Sequence, residues 1–300
     1  MKLKLAVTGK RKLWFIISAL IILPGLLSLL IQGLNLGIDF TGGSLIQLQF
    51  DEEVEVAEVR DVISIFDLEH SSIQSAAENN IFIRSSGLEE TDRREIMDEL
   101  EQSIGTFSIM RIEKVGATIS GELRNEAFLA MLLATLLMIA YITFRFEFKF
   151  AIAGIGALMH DVLVVVGIFS LLQIEIDSSF VVGLLTIVGY SINDTIVSFD
   201  RIRENMKGYR KGSVATIVDD SINQVLRRSI YTSLTTLVAV ASLLFLGGDT
   251  TRVFALALFI GIISGTYSSI FTASNLWTMW RDYDDNKSRT ASSGHIVNTN

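Results

Sequence analysis

Two acidic side chains lie within long hydrophobic segments of this sequence, where a carboxylate needs a chemical reason. Asp194 lies inside residues 183–205, GLLTIVGYSINDTIVSFDRIREN, and Asp161 follows His160 in residues 158–169, LMHDVLVVVGIF. An ionised carboxylate in hydrocarbon is strongly disfavoured, so such a group is expected to face other protein or water. The pattern indicates proton transfer within a membrane. A structural hydrogen bond between helices is the alternative for both acids.

Asp194 belongs to a polar stripe along one side of a helix. Six side chains fall within an arc of about 140° at helical spacing: Tyr190, Asn193, Asp194, Val197, Ser198 and Arg201. A later segment carries a second stripe: Arg228, Thr232, Thr235 and Thr236. Because an arginine side chain is long, Arg228 could reach toward Asp194 from the same membrane side.

A buried acid near a cation is the arrangement that a proton path requires. We therefore expect Asp194 and Arg228 to form a proton relay. The supporting polar residues would be Asp161, Asn193, Tyr190, Ser198 and Thr232. The alternative for Arg228 is an ordinary arginine at the membrane interface.

The composition indicates a membrane protein with several spans. Of the 300 residues 50% are hydrophobic, none is cysteine, and the formal net charge is -8. Without cysteine, disulfides, thiol catalysis and cysteine-ligated metal sites are excluded. Only three histidines remain as potential metal ligands, His70, His160 and His295, so neither a metal nor another cofactor is expected. The acidic balance also argues against binding to nucleic acid.

Six hydrophobic segments are long enough to form transmembrane helices. The first, residues 13–31, follows five basic residues and lacks a cleavage site of small residues, so we interpret it as an uncleaved helix. The others cover about residues 125–144, 150–172, 178–200, 229–247 and 252–277. The loops at 145–150 and 201–228 are basic, whereas those at 172–177 and 247–252 are not. The positive-inside rule therefore places both termini in the cytoplasm and residues 35–120 outside.

Residues 35–120 are interpreted as a separate α/β domain, because their apolar runs shorten to strand length. Strands are predicted at 44–50, 71–77, 81–86 and 107–116, and helices at 54–66 and 88–104. Adjacent Asn79 and Asn80 predict a hairpin between the middle two strands. The order βαββαβ is typical of a ferredoxin-like fold.

The predicted chain is a polytopic α-helical membrane protein with this domain inserted after its first helix. Its expected parts are residues 1–34 with the first helix, the domain at 35–120, a five-helix bundle at 121–280 and a disordered tail at 281–300. Glycines favour close helix packing at six positions: Gly154, Gly156, Gly183, Gly189, Gly261 and Gly265.

Four stretches together resemble the SecF family, the smaller membrane subunits of bacterial SecD/SecF complexes: GIDFTGGSL (37–45), LMHDVLVVVGIF (158–169), VGYSINDTIVSFDRIREN (188–205) and LRRSIYTSLTTL (226–237). The resemblance covers nearly the whole chain. It implies half of a transporter of the resistance-nodulation-division type, with SecD supplying the other helices. Such a complex would use the proton motive force to assist preproteins that emerge from the SecYEG channel of a bacterial cytoplasmic membrane.

The resemblance also implies roles for particular residues. The family's essential intramembrane aspartate falls on Asp194, and its essential arginine falls on Arg228. Its signature element contains Asp39, Gly42 and Gly43, and we expect these glycines to form a tight turn. The coupling ion is expected to be a proton, with sodium as the alternative, and SecD would supply a partner aspartate.

Three other interpretations stay open at this point. A transporter of the same superfamily could export lipids or small molecules, but such exporters normally carry twice as many helices. Asp161 and Asp194 could belong to an intramembrane aspartyl protease, although their contexts, Met-His-Asp and Ile-Asn-Asp, differ from that family's motifs. A purely structural subunit would leave Asp194 unexplained. We therefore expect a transport subunit and not an enzyme.

Overall fold

The computed structural model of the chain contains two compact units, Met1–Asn35 with Ala130–Asn300, and Leu36–Leu129. The structure describes residues 5–66, 68, 71–76, 79–208 and 213–283. His70, His295 and most of the predicted tail therefore lie outside the described residues.

Nine α-helices, a π-helical segment and four strands follow one another along the described residues. They are α1 (Arg11–Ile31), α2 (Ile38–Thr41), β1 (Gly43–Phe50), α3 (Val56–Ser64), β2 (Ser72–Ala76), β3 (Asn80–Ser85), α4 (Glu90–Ser103), β4 (Phe107–Val115), α5 (Ala117–Arg145), α6 (Phe148–Leu171), α7 (Ser178–Gly208), α8 (Val214–Leu246), α9 (Asp249–Tyr267) and the π-helical segment Ser268–Ala273. Ordinary helical turns continue from the π-helical segment to residue 283.

Six of these helices are long and apolar enough to cross a membrane, which confirms the predicted number. They are α1, α5, α6, α7, α8 and the helix formed by α9 with its continuation. The bundle therefore has the predicted polytopic helical architecture.

The prediction of a basic loop at 201–228 is wrong, because α7 continues to Gly208 and α8 already begins at Val214. Ser213 caps the start of α8, where its Oγ accepts a hydrogen bond from the Thr216 N–H at 3.2 Å. This bond satisfies one of the free donors of the first helical turn. The first half of α8 buries an amphipathic face that a search for long hydrophobic runs overlooks: Ile217, Val218, Ile222 and Val225. Arg228 therefore lies within a continuous helix.

Both ends of the described chain meet at one end of the helical bundle. Arg11 Nη1 lies 3.5 Å from Asp282 Oδ2. Nearby, the Leu5 N–H donates to Asn223 Oδ1 at 2.9 Å, and Asn223 Nδ2 donates back to the Leu5 carbonyl at 2.9 Å. The Thr8 N–H also donates to Asp219 Oδ1 of α8 at 2.8 Å. We call this end the N-terminal end of the bundle.

Two glycines set the crossing of α1 and α6. A Cβ added to Gly25 would lie 2.6 Å from the Gly167 Cα, so the two backbones are in direct contact. Close to this crossing, the hydroxyls of Ser28 and Ser170 are 2.8 Å apart and hydrogen bonded. Small and hydroxyl-bearing residues thus replace large apolar side chains at this contact, as is common between membrane helices.

Small residues also keep α7 and α9 side by side in one register. A Cβ on Gly183 would lie 3.2 Å from Ala257 Cβ, and one on Gly265 would lie 3.0 Å from Ser191 Cβ. The expectation of close packing at Gly189 is wrong, because no heavy atom outside its own helix lies within 4 Å of its added Cβ. The α7–α9 contact brings the polar side chains of both helices into the bundle interior.

The α/β unit has the predicted ferredoxin-like order. Its sheet is fully antiparallel with strand order β2-β3-β1-β4, and α3 and α4 follow β1 and β3 in the chain. Asn79 precedes β3 with φ at 57°, as the predicted hairpin requires. The core is formed by side chains of the sheet and both helices, including Ile46, Leu48, Val59, Ile63, Ile96 and Leu100.

The signature element at 37–43 forms one helical turn that ends in two glycines. α2 is followed by Gly42 with φ at 75° and Gly43 with φ at 119°, both in a region that side chains disfavour. A Cβ on Gly43 would also lie 2.5 Å from the Ser85 carbonyl oxygen of β3. The glycines therefore permit a sharp change of direction and a close approach of β1 to β3.

Candidate functional site

Asp161 is completely enclosed within the helical bundle and has four hydrogen-bond partners. Its relative exposure is 0%. Its donors include three serine hydroxyls, from Ser191 on α7 at 2.5 Å, Ser264 on α9 at 2.6 Å and Ser268 at 2.7 Å. His160 Nδ1 lies 3.1 Å from Asp161 Oδ1. A carboxylate has about four acceptor positions, so Asp161 is fully satisfied by protein groups.

The hydrogen bonds of Asp161 continue through His160 to α1. His160 Nε2 lies 3.0 Å from Ser18 Oγ, which in turn lies 3.4 Å from the Tyr267 hydroxyl. Tyr267 donates to the Trp14 carbonyl at 2.6 Å. Asp161 therefore ties α6 to α1, α7 and α9, which supports the structural alternative for this residue.

Asp194 is buried with a relative exposure of 8%, but it has far fewer partners than Asp161. Ser229 of α8 donates to its Oδ1 at 2.5 Å, and Ser269 donates to its Oδ2 at 2.9 Å. Among the described residues, no cation lies within ion-pair distance of either oxygen. Asp194 is thus a buried acid held by two neutral hydroxyls from two different helices.

The π-helical segment brings partners to both acids. Ser268 donates to Asp161, and the next residue, Ser269, donates to Asp194. A π-helical turn contains more residues than an α-helical turn, so it changes which side chains face each neighbouring helix. Sequence reasoning missed this segment. The signal available was a run of hydroxyl residues within an apolar helix, SGTYSSIFTAS at 264–274.

Arg228 does not meet Asp194 in this chain, so the expected ion pair is absent between these two described residues. The Arg228 side chain is exposed, whereas its neighbour Ser229 is buried and bonds Asp194. Adjacent residues on a helix point about 100° apart, so Ser229 and Arg228 cannot both face the acid. Arg228 instead lies on the outer face of α8.

The other predicted site residues are distributed over several environments. Tyr190 lies near the hydroxyls of Ser233 and Thr236, at 3.4 and 3.5 Å. Asn193 is exposed, and Ser198 is buried. Thr232 is exposed and donates to the Arg228 carbonyl of its own helix at 3.0 Å. The predicted polar stripe of α7 therefore divides into a buried and an exposed part.

Asp161 and Asp194 are held by separate sets of side chains. Neither carboxylate bonds the other, and no described hydroxyl donates to both. An aspartyl protease places two carboxylates close enough to share a proton. Asp161 and Asp194 do not have this arrangement.

Within the described residues, no group of three or more histidine, aspartate or glutamate side chains could hold a metal ion.

Comparison with protein families identifies two matching segments. Residues 95–283 match the family model described as protein export membrane protein SecD/SecF, C-terminal. Residues 27–54 match the SecD/SecF GG motif, which contains the two positive-φ glycines. The two matches together include the acids at 161 and 194 and the signature element.

Several relatives are similar over nearly the whole chain. The protein translocase subunit SecF of Sebaldella termitidis is 42% identical over 289 residues, covering 94% of this chain and 93% of the relative. The subunit of Acidaminococcus fermentans is 43% identical over 286 residues, covering 93% and 98%. The subunit of Pseudomonas aeruginosa is 37% identical over 275 residues, covering 91% and 90%.

Two solved structures share the fold. The crystal structure of SecDF from Thermus thermophilus, described as a translocon-associated membrane protein, matches with a TM-score of 0.85 and 39% identity, covering 92% of this chain and 38% of that chain. A SecDF structure in a super-membrane-facing form matches with a TM-score of 0.71 and 36% identity, covering 98% and 40%. The chain therefore belongs to the SecF family of protein translocase subunits.

Proposed function

We propose that this chain is the membrane subunit that pairs with SecD and couples the proton motive force to protein export, with Asp194 as its proton carrier. The observation that carries the proposal is the environment of Asp194. This buried acid has only two hydroxyl donors and no described cation beside it. A negative charge there is poorly compensated, so its protonation is linked to the packing of the surrounding helices.

Proton uptake would change the hydrogen bonds that join three helices. The ionised carboxylate accepts from Ser229 and Ser269, whereas the protonated acid can donate one bond of its own. α7, α8 and the π-helical segment would then favour different packings in the two protonation states. One proton crossing the membrane supplies about 2.3 kcal/mol per 100 mV, which can bias such an equilibrium.

The exposed polar side chains within the membrane segments favour a second membrane subunit as partner. Arg228, Thr232 and Thr235 are exposed on α8, and Asn193 is exposed on α7. Polar groups facing lipid are disfavoured, so another protein surface is expected to cover them. SecD is the natural candidate, because the matching SecDF chains are more than twice as long as the matched segment. In such a complex Arg228 would lie at the contact with the partner subunit.

The charge distribution supports an orientation in a bacterial cytoplasmic membrane. Lys10, Arg11 and Lys12 are exposed at the N-terminal end of the bundle, and Arg145 at the end of α5 and Arg203 on α7 lie on the same predicted side. The positive-inside rule places this end in the cytoplasm and residues 35–120 outside. From there the outer unit could meet preproteins that leave the SecYEG channel.

The test is secretion of a slowly exported reporter in cells whose only copy of this gene encodes the wild type, Asp194→Asn or Arg228→Met. Asp200→Asn is the matched control, because Asp200 is an exposed acid on the same helix. We expect export with Asp194→Asn to fall toward the level of the deletion strain, while Asp200→Asn exports normally. Membrane amounts and co-purification with SecD are measured for each variant.

Normal export with Asp194→Asn, at normal membrane amounts, would reject the proton carrier. Loss of SecD co-purification with Arg228→Met alone would assign Arg228 to the subunit interface instead of the relay.

A further inference from the structure

Four polar atoms that follow Asp194 on α7 and Ser269 on the neighbouring helix are buried and have no hydrogen-bond partner among the described residues. They are Thr195 Oγ1 and Ser198 Oγ on α7, Thr272 Oγ1 in the π-helical segment, and Asn275 Oδ1 in the turns that follow. Each of these residues is at most 6% exposed. Buried polar groups are almost always hydrogen bonded, so this concentration needs an explanation.

The three hydroxyls among them do not bond the backbone carbonyl four residues earlier, although other hydroxyl residues of these helices do. Thr186 donates to the Val182 carbonyl at 2.7 Å, and Thr278 donates to the Ser274 carbonyl at 2.7 Å. This bond to the carbonyl four residues earlier is the usual solution for a helix hydroxyl in an apolar setting. Ser198 and Thr272 do not make it, so their hydroxyls are directed elsewhere.

The register of α7 and α9 relates the unpartnered atoms of one helix to those of the other. Along the two helices, Ser191 lies next to Gly265, and Asp194 bonds Ser269. Seven residues beyond the Ser191–Gly265 contact on each helix, toward the N-terminal end of the bundle, Ser198 comes close to the level of Thr272. The unpartnered atoms therefore follow Asp194 along the contact between the two helices.

We infer that Thr195, Ser198, Thr272 and Asn275 bind buried water, which extends the hydrogen-bonded path of Asp194 toward the N-terminal end. The four atoms are buried by this chain's own helices, so a partner subunit on the outer surface cannot satisfy them. Water of this kind typically joins polar groups that lack protein partners. None of the four carries a charge, which favours water over a bare metal cation.

The role of this water in proton supply rests on the proposed function, whereas the presence of the water does not. Water at Ser198 and Thr272 would connect Asp194 with the end of the bundle that carries the exposed basic residues. Protons would then reach the acid along a water path that is continuous with the solvent at the N-terminal end of the bundle.

Single cysteines test the water site directly, because the chain has no cysteine of its own. Ser198→Cys and Thr272→Cys are made in the complex with SecD and exposed, in inverted membrane vesicles, to a small water-borne methanethiosulfonate. Ala273→Cys is the matched control, since Ala273 is an apolar residue of the same segment with 0% exposure. A thiol reacts as its thiolate, which forms only where water reaches it. We expect Ser198→Cys and Thr272→Cys to react on the order of tenfold faster than the control.

Equal, slow reaction at all three positions overturns the water site. An experimental structure of the complex provides a second measurement that does not depend on the substitutions. Ordered water within hydrogen-bonding distance of Ser198 Oγ and Thr272 Oγ1 supports the site, whereas a direct bond between these two hydroxyls overturns it.

The two proposals fail in distinguishable ways. Fast reaction at Ser198→Cys together with normal export by Asp194→Asn confirms the water and rejects the proton carrier. Slow reaction together with lost export by Asp194→Asn rejects the water site alone.

Discussion

Ser268 and Ser269 are neighbours in the chain, yet they donate hydrogen bonds to two different buried acids, Asp161 and Asp194. This division is possible because the two serines begin the π-helical segment Ser268–Ala273. The two acids differ in the number of donors around them. The segment therefore joins a fully satisfied carboxylate to one with spare acceptor capacity.

Ser268→Ala is expected to affect mainly stability, whereas Ser269→Ala is expected to affect mainly export. Ser268→Ala removes a donor from the fully enclosed Asp161 and should lower the stability of the purified complex by about 1–3 kcal/mol. Ser269→Ala should lower reporter export more than it lowers stability, because it changes the environment of the proposed proton carrier. Thermal unfolding and export are measured for both variants. Parallel losses of export and stability in both would show that the two serines do not have separate roles.

Asp161→Ala is expected to reduce the amount of folded protein in the membrane. Ser191, Ser264 and Ser268 lose their acceptor in this variant, so three buried hydroxyls become unpartnered. The expected loss of stability is about 3 kcal/mol or more. Asp200→Ala, at an exposed position of α7, is the control and should have little effect. If Asp161→Ala accumulates normally but fails in export, Asp161 has a functional role.

Gly25→Ala is expected to destabilise the crossing of α1 and α6. The added methyl group would meet Gly167 Cα at 2.6 Å, so the two helices must separate. Forced packing of this kind typically costs about 1–3 kcal/mol. Gly189→Ala is the matched control, because its added Cβ has no neighbour within 4 Å. The melting temperatures of the two variants in detergent provide the comparison, and equal values would contradict the observed helix contact.

Gly43→Ala is expected to disturb the α/β unit. The residue combines a φ of 119° with a Cβ position 2.5 Å from the Ser85 carbonyl oxygen, so both backbone strain and a steric clash oppose a side chain. Strain of this kind costs on the order of 1–3 kcal/mol. Limited proteolysis of the full chain should cut within residues 36–129 faster than in the wild type. Gly116→Ala, whose added Cβ meets no atom within 4 Å, should leave the cleavage rate unchanged.

The elements that depend on local pattern could be predicted from the sequence. The hydrophobic spans and the alternating strands appear close to the predicted residues, as in β1 at Gly43–Phe50 for a predicted 44–50. The ferredoxin-like order followed from the sequence of strands and helices alone. The predicted start of α8 at residue 229 is wrong, because the helix begins at Val214. Its first half is amphipathic and buried, but it is too polar to be recognised as a membrane span.

The environment of the two acids could not be predicted, because it depends on contacts between distant residues. Both lie in apolar helices with similar sequence surroundings, and only the fold shows four hydrogen-bond partners at Asp161 and two at Asp194. Arg228 was expected to approach Asp194, but the next residue along α8, Ser229, faces the acid and donates a hydrogen bond to it. Sequence periodicity identified the polar helices without fixing which polar residue each would turn inward.

The paired hydrogen bonds between Leu5 and Asn223 fasten the beginning of the chain to α8. Asn223 lies six residues before Ser229, a distance of about 9 Å along the helix axis. A shift of α8 at Asp194 would therefore move Leu5 and, through it, α1. A fluorescent label near the amino terminus would therefore report a movement of α8 at Asp194.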